Sequence, residues 1–567
     1  MTQAIAAAQD GDVIYGLPGT YTLGTVVVNK AVTIKANESG SIILDGNGAR
    51  VFTIASNDVV LNNLTLINGA TSSDGGLIFM STGSLTVNNT VLKDTLMSTS
   101  SSKGAGIYAS GNLNVYNSEF RNLSARQGAA IWQQSSSAVT VIDNSVFDNI
   151  NSTYDGGLVN SGGTTKITKS NFTNIIGANT TGEYGNIRVT GGDLIITECN
   201  LINITGPGGA AVYYTAYSGT LNITKSIFEN INCTNKGIIY TTGDSYINYN
   251  VFLNVNEGVN STSSAASKVN VDYNWWGTYE NPSTLMKTLS PNNWVVMTIT
   301  PDTLESVEPG ATQAFVVDFT HCTDGTANST LADTIPELTV SASAVKGDLD
   351  QDAIETVNGI ATFTYTASAN GEETITFTNA NAAIPVSFVV GDGYFGIVYV
   401  SKDGSDENRG SEDAPVATIA KAVEIAKSGS GQIIIKEGIY NENNITINSE
   451  IPISIKGEGN VVIDGTDLAE LSIFTIKSGE VSIEKISFRN NPAKFGGAIN
   501  VQGASGSSLL DVNILINECN FDNFSSNASG SQGGAIYAKY LKGSLTINNS
   551  NFTNSIAKSW GGALTVG

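Results

Sequence analysis

Apolar and polar residues alternate along this chain in short runs, with turn residues between them and no helical period intervening. One string recurs. It holds an alternating run, a small polar pair, then Phe or Leu, then Asn two residues later. It reads Leu113-Asn114-Val115-Tyr116-Asn117-Ser118-Glu119-Phe120-Arg121-Asn122, then Ile167-Thr168-Lys169-Ser170-Asn171-Phe172-Thr173-Asn174, then Ile223-Thr224-Lys225-Ser226-Ile227-Phe228-Glu229-Asn230. Further copies centre on Leu66, Leu92, Phe147, Leu201 and Phe252. The interval is roughly 24–29 residues, the spacing of a solenoid. A Gly-rich turn entering an apolar strand falls between the copies: Gly75-Gly76-Leu77-Ile78, Gly104-Ala105-Gly106-Ile107, Gly128-Ala129-Ala130-Ile131 and Gly156-Gly157-Leu158-Val159. Each period therefore holds at least two short strands separated by tight turns.

Stacked coils explain why these residue types recur. Coils of a β-helix pair with their neighbours at about 4.8 Å, so like positions form ladders. Phe120, Phe147, Phe172, Phe228 and Phe252 are expected to form an inner column. Asn122, Asn149, Asn174, Asn203, Asn230 and Asn254 are expected at a bend, where Asn tolerates the left-handed conformation and its amide can bond from coil to coil. An open solenoid end needs a cap. Ala4, Ile5 and Ala8 suggest a short helix for that purpose, ended by Asp10-Gly11-Asp12.

The opening is duplicated. Ile419, Val423 and Ala426 form an apolar stripe at helical spacing, followed by Ile433-Ile434-Ile435 and Glu437-Gly438-Ile439-Tyr440. The string then resumes at Phe488/Asn490, Phe521/Asn523 and Phe552/Asn554. Between the two rods the repeat vanishes. Tyr273-Asn274-Trp275-Trp276-Gly277 ends the first rod, and the two Trp are expected to plug it together. Short strands such as Ala314-Phe315-Val316-Val317 and Glu373-Thr374-Ile375-Thr376-Phe377 then follow at sandwich-like spacing, without a Cys pair. The sequence thus predicts an all-β chain: two right-handed parallel β-helices separated by an immunoglobulin-like β-sandwich. The expected divisions are a capped first rod over 1–278, a linker over 279–294, the sandwich over 295–392 and a second rod over 393–567. The second rod stops inside a repeat, so the chain is read as part of a larger protein.

Composition narrows the function classes. Charged residues make up 14% and the formal net charge is -23. The arginines, Arg50, Arg121, Arg126, Arg188, Arg409 and Arg489, are scattered singly, which argues against nucleic acid and anionic lipid as partners. Cys199, Cys233, Cys322 and Cys519 show no metal spacing, and Cys199 and Cys519 share the string Glu-Cys-Asn. Buried free thiols are expected. Sequons at Asn63, Asn122, Asn171, Asn203, Asn222, Asn328, Asn527 and Asn551 would suit a surface protein, although Asn/Thr ladders also generate them.

Many β-helices cleave polysaccharides, which requires carboxylates gathered on neighbouring coils or a Ca²⁺ cluster with a basic residue. Asp143 and Asp148 share one coil, but Thr168 and Thr173 follow in the next. Arg121 and Arg126 have only Asp94 nearby in the preceding coil, and His321 lies in the sandwich. Asp403, Asp406, Glu407 and Asn408, and the alternating Asp348, Asp350 and Asp352, read as solvated acidic loops without EF-hand spacing. No catalytic, cofactor-binding or metal-ligating residue is singled out, no cofactor is expected, and the chain is expected not to be an enzyme.

The Gly-Gly-Ala-Ile and Phe-x-x-Asn strings resemble the repeats of chlamydial polymorphic outer-membrane proteins. With the Trp-Trp-Gly exit and the sandwich, the whole chain looks more like the adhesin-like surface proteins of methanogenic archaea. That resemblance implies an extracellular, cell-surface rod attaching to a glycan or protein on another cell. A structural envelope protein and a polysaccharide lyase or hydrolase are the alternatives.

Overall fold

The computed structural model describes residues 1–37, 41–160, 162–177, 185–304, 306–368, 371–391, 396–502, 511–539 and 541–567. The expected boundary between sandwich and second rod, at 392–393, lies outside the described residues. The fold is an all-β parallel solenoid interrupted by a two-sheet module. Among the described residues no helix is long and apolar enough to cross a membrane.

Each coil of the first rod supplies three strands, one more than the two strings show. In one coil these are Asn112–Tyr116, Glu119–Gln127 and Ile131–Gln133. Each strand pairs in parallel with its counterparts above and below. Three faces result. Face one has 11 strands, from Val13–Gly16 to Val269–Asn270. Faces two and three have 10 each, ending at Val251–Leu253 and Val259–Ser261.

The inner column forms as the repeat predicts. Phe120 stacks on Phe147 at 4.7 Å between ring centroids, and Phe147 on Phe172 at 4.6 Å. Leu201 bridges Phe172 to Phe228, and Phe228 stacks on Phe252. The asparagines kink face two. Asn122, Asn149, Asn174, Asn203, Asn230 and Asn254 have φ of 52–56°, and their amides bond along the rod, as from Asn149 to Asn122 at 2.8 Å. Gly104 holds the corner before face three at φ +65°, where a Cβ would lie 2.4 Å from the Ile107 carbonyl oxygen.

The polar member of the repeat builds a second ladder, inside the rod. Thr90, Ser118, Ser145, Ser170, Cys199, Ser226, Asn250 and Asn274 are buried one above another. The Ser118 N–H donates to the Ser145 hydroxyl at 3.1 Å, and the Ser145 N–H to the Ser170 hydroxyl at 3.0 Å. Each hydroxyl in turn donates to the carbonyl two residues back, at 2.9 Å for Ser145. Cys199 and Cys519 fill this slot with sulfur, facing the carbonyls of Thr197 and Asn517 at 3.3 Å. All four cysteines are buried and free, and burial pushes the Cys199 thiol up to about 12. Ser145→Val should therefore cost about 1–3 kcal/mol, the penalty of an unpaired buried donor, whereas Ser145→Cys should cost less. Urea unfolding measures both. Equal losses would remove the hydrogen-bond account.

The two Trp do different work. Trp276 continues the inner column, stacked 4.2 Å from Phe252 and nearly parallel to it. Trp275 instead belongs to the core of the sandwich, edge-on to Phe319 at 5.0 Å, with its indole N–H donating to Asn379 at 2.7 Å. The expectation that both plug the rod is corrected to one plug and one rivet. Successive residues of an extended segment point to opposite sides, so one of the pair must face outward. Residues 279–294 lie against the last coils: the Gly258 N–H donates to the Leu285 carbonyl, and Met286 and Leu289 are buried.

The middle module has two sheets of five strands each around one core of Phe315, Phe363, Phe377 and Phe388. The second rod has a core of its own. There the cap helix Ile419–Ala426 buries Ile419, Ala422, Val423 and Ala426, as the helical spacing predicts. The strand Val398–Val400 adds to its first face through Gln432–Ile435.

Candidate functional site

Face three is where the coils present chemistry to the outside. Its strands follow the glycine corner, and alternation sends the residue after each inner Ile or Val outward. Register aligns these residues in one column: Thr53, Phe79, Tyr108, Trp132, Val159, Arg188, Tyr213 and Tyr240. Phe79 stacks on Tyr108 at 5.0 Å, and Tyr213 on Tyr240 at 5.2 Å. The Tyr108 hydroxyl and the Trp132 indole N–H both donate to the side-chain oxygen Oε1 of Gln134, at 3.3 and 3.0 Å.

Cations line this column. The Arg50 guanidinium lies 4.8 Å from the Phe79 ring centre, and the Lys103 ammonium 4.3 Å from that of Trp132. Arg126 lies 4.1 Å from Tyr154, and Lys236 5.0 Å from Tyr240. In the middle of the column Arg188 pairs with Asp155, whose side chain is buried. Burial holds the Asp155 carboxyl above its ordinary value, and the Arg188 charge pulls the other way. Asp74 sits between Arg50 and Lys103, and burial raises its carboxyl as well, against Lys103. The second rod repeats the motif on a smaller scale: Phe495 meets Tyr537 at 5.0 Å, with Lys494 5.3 Å from Phe495.

The acidic residues noted in the sequence are engaged elsewhere. Asp143 accepts from Thr168, and Asp148 from Thr173 and Asn174, both at 2.8 Å. Arg121, which has only Asp94 upstream in the sequence, pairs forward with Asp148 at 3.4 Å and with Glu119 at 2.8 Å. Asp94 accepts from Asn122. Asp10 and Asp12 hold the turn after the cap helix through Ala31 and Gln9 N–H. Asp406 accepts from Ala417 N–H, Thr418 N–H and the Thr418 hydroxyl, so it organises the loop before the second cap. Asp350 accepts from Thr364 N–H, and His321 contacts Thr320 and Asp318 within the sandwich. Among the described residues no three His, Cys, Asp or Glu side chains group as metal ligands.

The sequence repeat does not single out the face-three column: Phe79, Tyr108 and Trp132 follow the inner Ile78, Ile107 and Ile131 of the glycine strings, but the next coils place Val159 and Arg188 there.

A family model described as "Protein of unknown function (DUF1565)" matches residues 402–558. A search of curated proteins finds no match. Among solved structures, a PL6 alginate lyase in complex with a trisaccharide aligns at 10% identity and a TM-score of 0.24, over 89% of this chain and 85% of that one. The D0-D1 domain of intimin aligns at 15% identity and a TM-score of 0.13. That match covers 16% of this chain and 44% of the intimin chain, so this chain spans less than half of that structure. At these scores neither likeness carries an activity over, and the fold rests on the chain's own strand pairing. The lyase match does overturn the expectation that the chain is not an enzyme: a β-helical enzyme is among its structural neighbours, and the exclusion of catalysis is withdrawn.

Proposed function

We propose that the chain is an adhesin-like, cell-surface rod that recognises polysaccharide along face three of its first β-helix. The middle module, read as immunoglobulin-like, then acts as a spacer between two rods. One observation carries the reading: the outward column from Phe79 to Tyr240, in register over consecutive coils. The polar edges of these rings, which carry the Tyr hydroxyls, and the charged groups beside them are what a hydroxylated polymer laid along the column meets. At about 4.8 Å per coil the column runs about 29 Å, long enough for several sugar units of an extended polymer. A site spread over many coils also fits a molecule that holds a long ligand at many weak points.

The test is a glycan array with the whole chain, with a parallel assay for new reducing ends or unsaturated products. Binding is expected, and the parallel assay shows whether turnover accompanies it. The double variant Tyr108→Ala/Tyr240→Ala should lose about tenfold or more in affinity, with unfolding little changed because both rings are half-exposed. Unchanged binding by that variant would refute the placement on face three. Clear turnover would replace the adhesion reading with the lyase or hydrolase reading.

A further inference from the structure

We infer that the polysaccharide recognised by face three is anionic, a polymer with carboxylate or sulfate groups along its length. This rests on the glycan reading above and specifies its ligand class. The chain as a whole carries a formal net charge of -23, which should repel such a polymer. Face three departs from that average. Arg50, Lys103, Arg126, Arg188 and Lys236 all lie on or beside its outward column, against the carboxylates Asp74, Asp155 and Glu257, the last of them paired with Lys287.

The rings themselves argue against a neutral ligand. A neutral sugar binds an aromatic side chain by covering its face. Here the faces are already covered: Phe79 by Arg50, Trp132 by Lys103, Tyr240 by Lys236. Trp132 retains only 7% of its exposure. A neutral pyranose would have to displace a cation to stack. An anion can approach Lys103 and Lys236 while leaving their ring contacts in place. The rings act as seats that fix flexible Lys and Arg heads along the rod, which lowers the entropy lost when an anion binds them. Each cation alone is a weak surface contact. Spread over several coils of one face, they add up only for a polymer long enough to meet several of them.

The experiment titrates the full chain with polygalacturonate and with the same polymer after carboxyl reduction, and with dextran sulfate against dextran. Expected is about tenfold or more tighter binding of an anionic polymer than of its neutral partner, weakening steeply as salt rises. The two pairs separate carboxylate from sulfate as the group read. Lys103→Gln/Lys236→Gln should weaken the anionic polymer about tenfold and should not weaken any neutral binding. Lys166→Gln/Lys169→Gln, exposed lysines on and beside face one, removes the same charge elsewhere and should have little effect. Equal binding of charged and neutral polymers, or equal losses in the two double variants, would overturn the anionic assignment and leave the glycan reading standing. Binding to no polysaccharide, charged or neutral, would overturn both.

Discussion

Replacing Phe147 by alanine is expected to cost the first rod about 3–5 kcal/mol, read as a lowered midpoint in chemical denaturation. Phe147 is 1% exposed and touches rings on both sides, at 4.7 Å from Phe120 and 4.6 Å from Phe172. The void cannot be filled from within its own coil, because the backbone there is fixed by pairing to two neighbours. Each coil contacts mainly the next, so a defect in mid-rod weakens two interfaces at once. Tyr246→Ala, on the outside of face one and 51% exposed, should change stability by no more than about 0.5 kcal/mol. A loss below about 1 kcal/mol for Phe147→Ala would mean that the column does not sustain the rod.

The second large effect lies in the sandwich. Glu373 is 1% exposed, yet it is fully engaged. Its carboxylate accepts from the backbone N–H groups of Val345 at 2.8 Å, Lys346 at 3.1 Å and Gly347 at 2.7 Å, and from the Tyr365 hydroxyl at 2.9 Å. Glu373→Ala strips these four donors, and the Thr374 N–H as well, of their acceptor and should cost about 3 kcal/mol or more. Burial alone would raise this carboxyl. The hydrogen bonds from Gly347, Tyr365, Thr374 and Val345 outweigh it and hold the group below its ordinary value. The sign follows. The stabilisation is fully present above the unfolded value of about 4.3 and is lost as pH falls through the lower folded value. Glu373→Gln should therefore be less stable at neutral pH and show a flatter acid limb. Tryptophan fluorescence during urea unfolding follows this, since Trp275 is buried in the sandwich core and Trp294 begins the sandwich strand that pairs with Thr323. An acid limb unchanged in Glu373→Gln would place the proton uptake on another group.

Much of the scaffold is legible in the sequence because the residues that repeat are the ones facing inward or turning corners. Phe, Asn and Gly recur since every coil imposes the same void, the same kink and the same close approach. Face three reads differently. Its outward positions share geometry but not chemistry, running Phe79, Tyr108, Trp132, Val159, Arg188, so no string marks them. Their partners come from other coils, as Arg188 finds Asp155 across 33 residues of chain. Only the register brings such groups together, and a register is a property of the stack. The Trp pair is the same lesson in small: composition shows two large rings at a rod end, and strand geometry decides that Trp276 faces in and Trp275 faces the sandwich.

The rivet between Trp275 and Asn379 has a mechanical side. The Asn ladder and the sheet hydrogen bonds run along the rod, so a pull on its ends loads every gap between coils in series. Within one gap the three faces share the force in parallel, and the gap opens only if all three give way together. A load arriving through the sandwich enters at Trp275, whose neighbour Trp276 is seated on Phe252 in the inner column. Tension is thereby delivered to the centre of the stack, where the faces share it, and not to one edge, from which the coils would peel away singly.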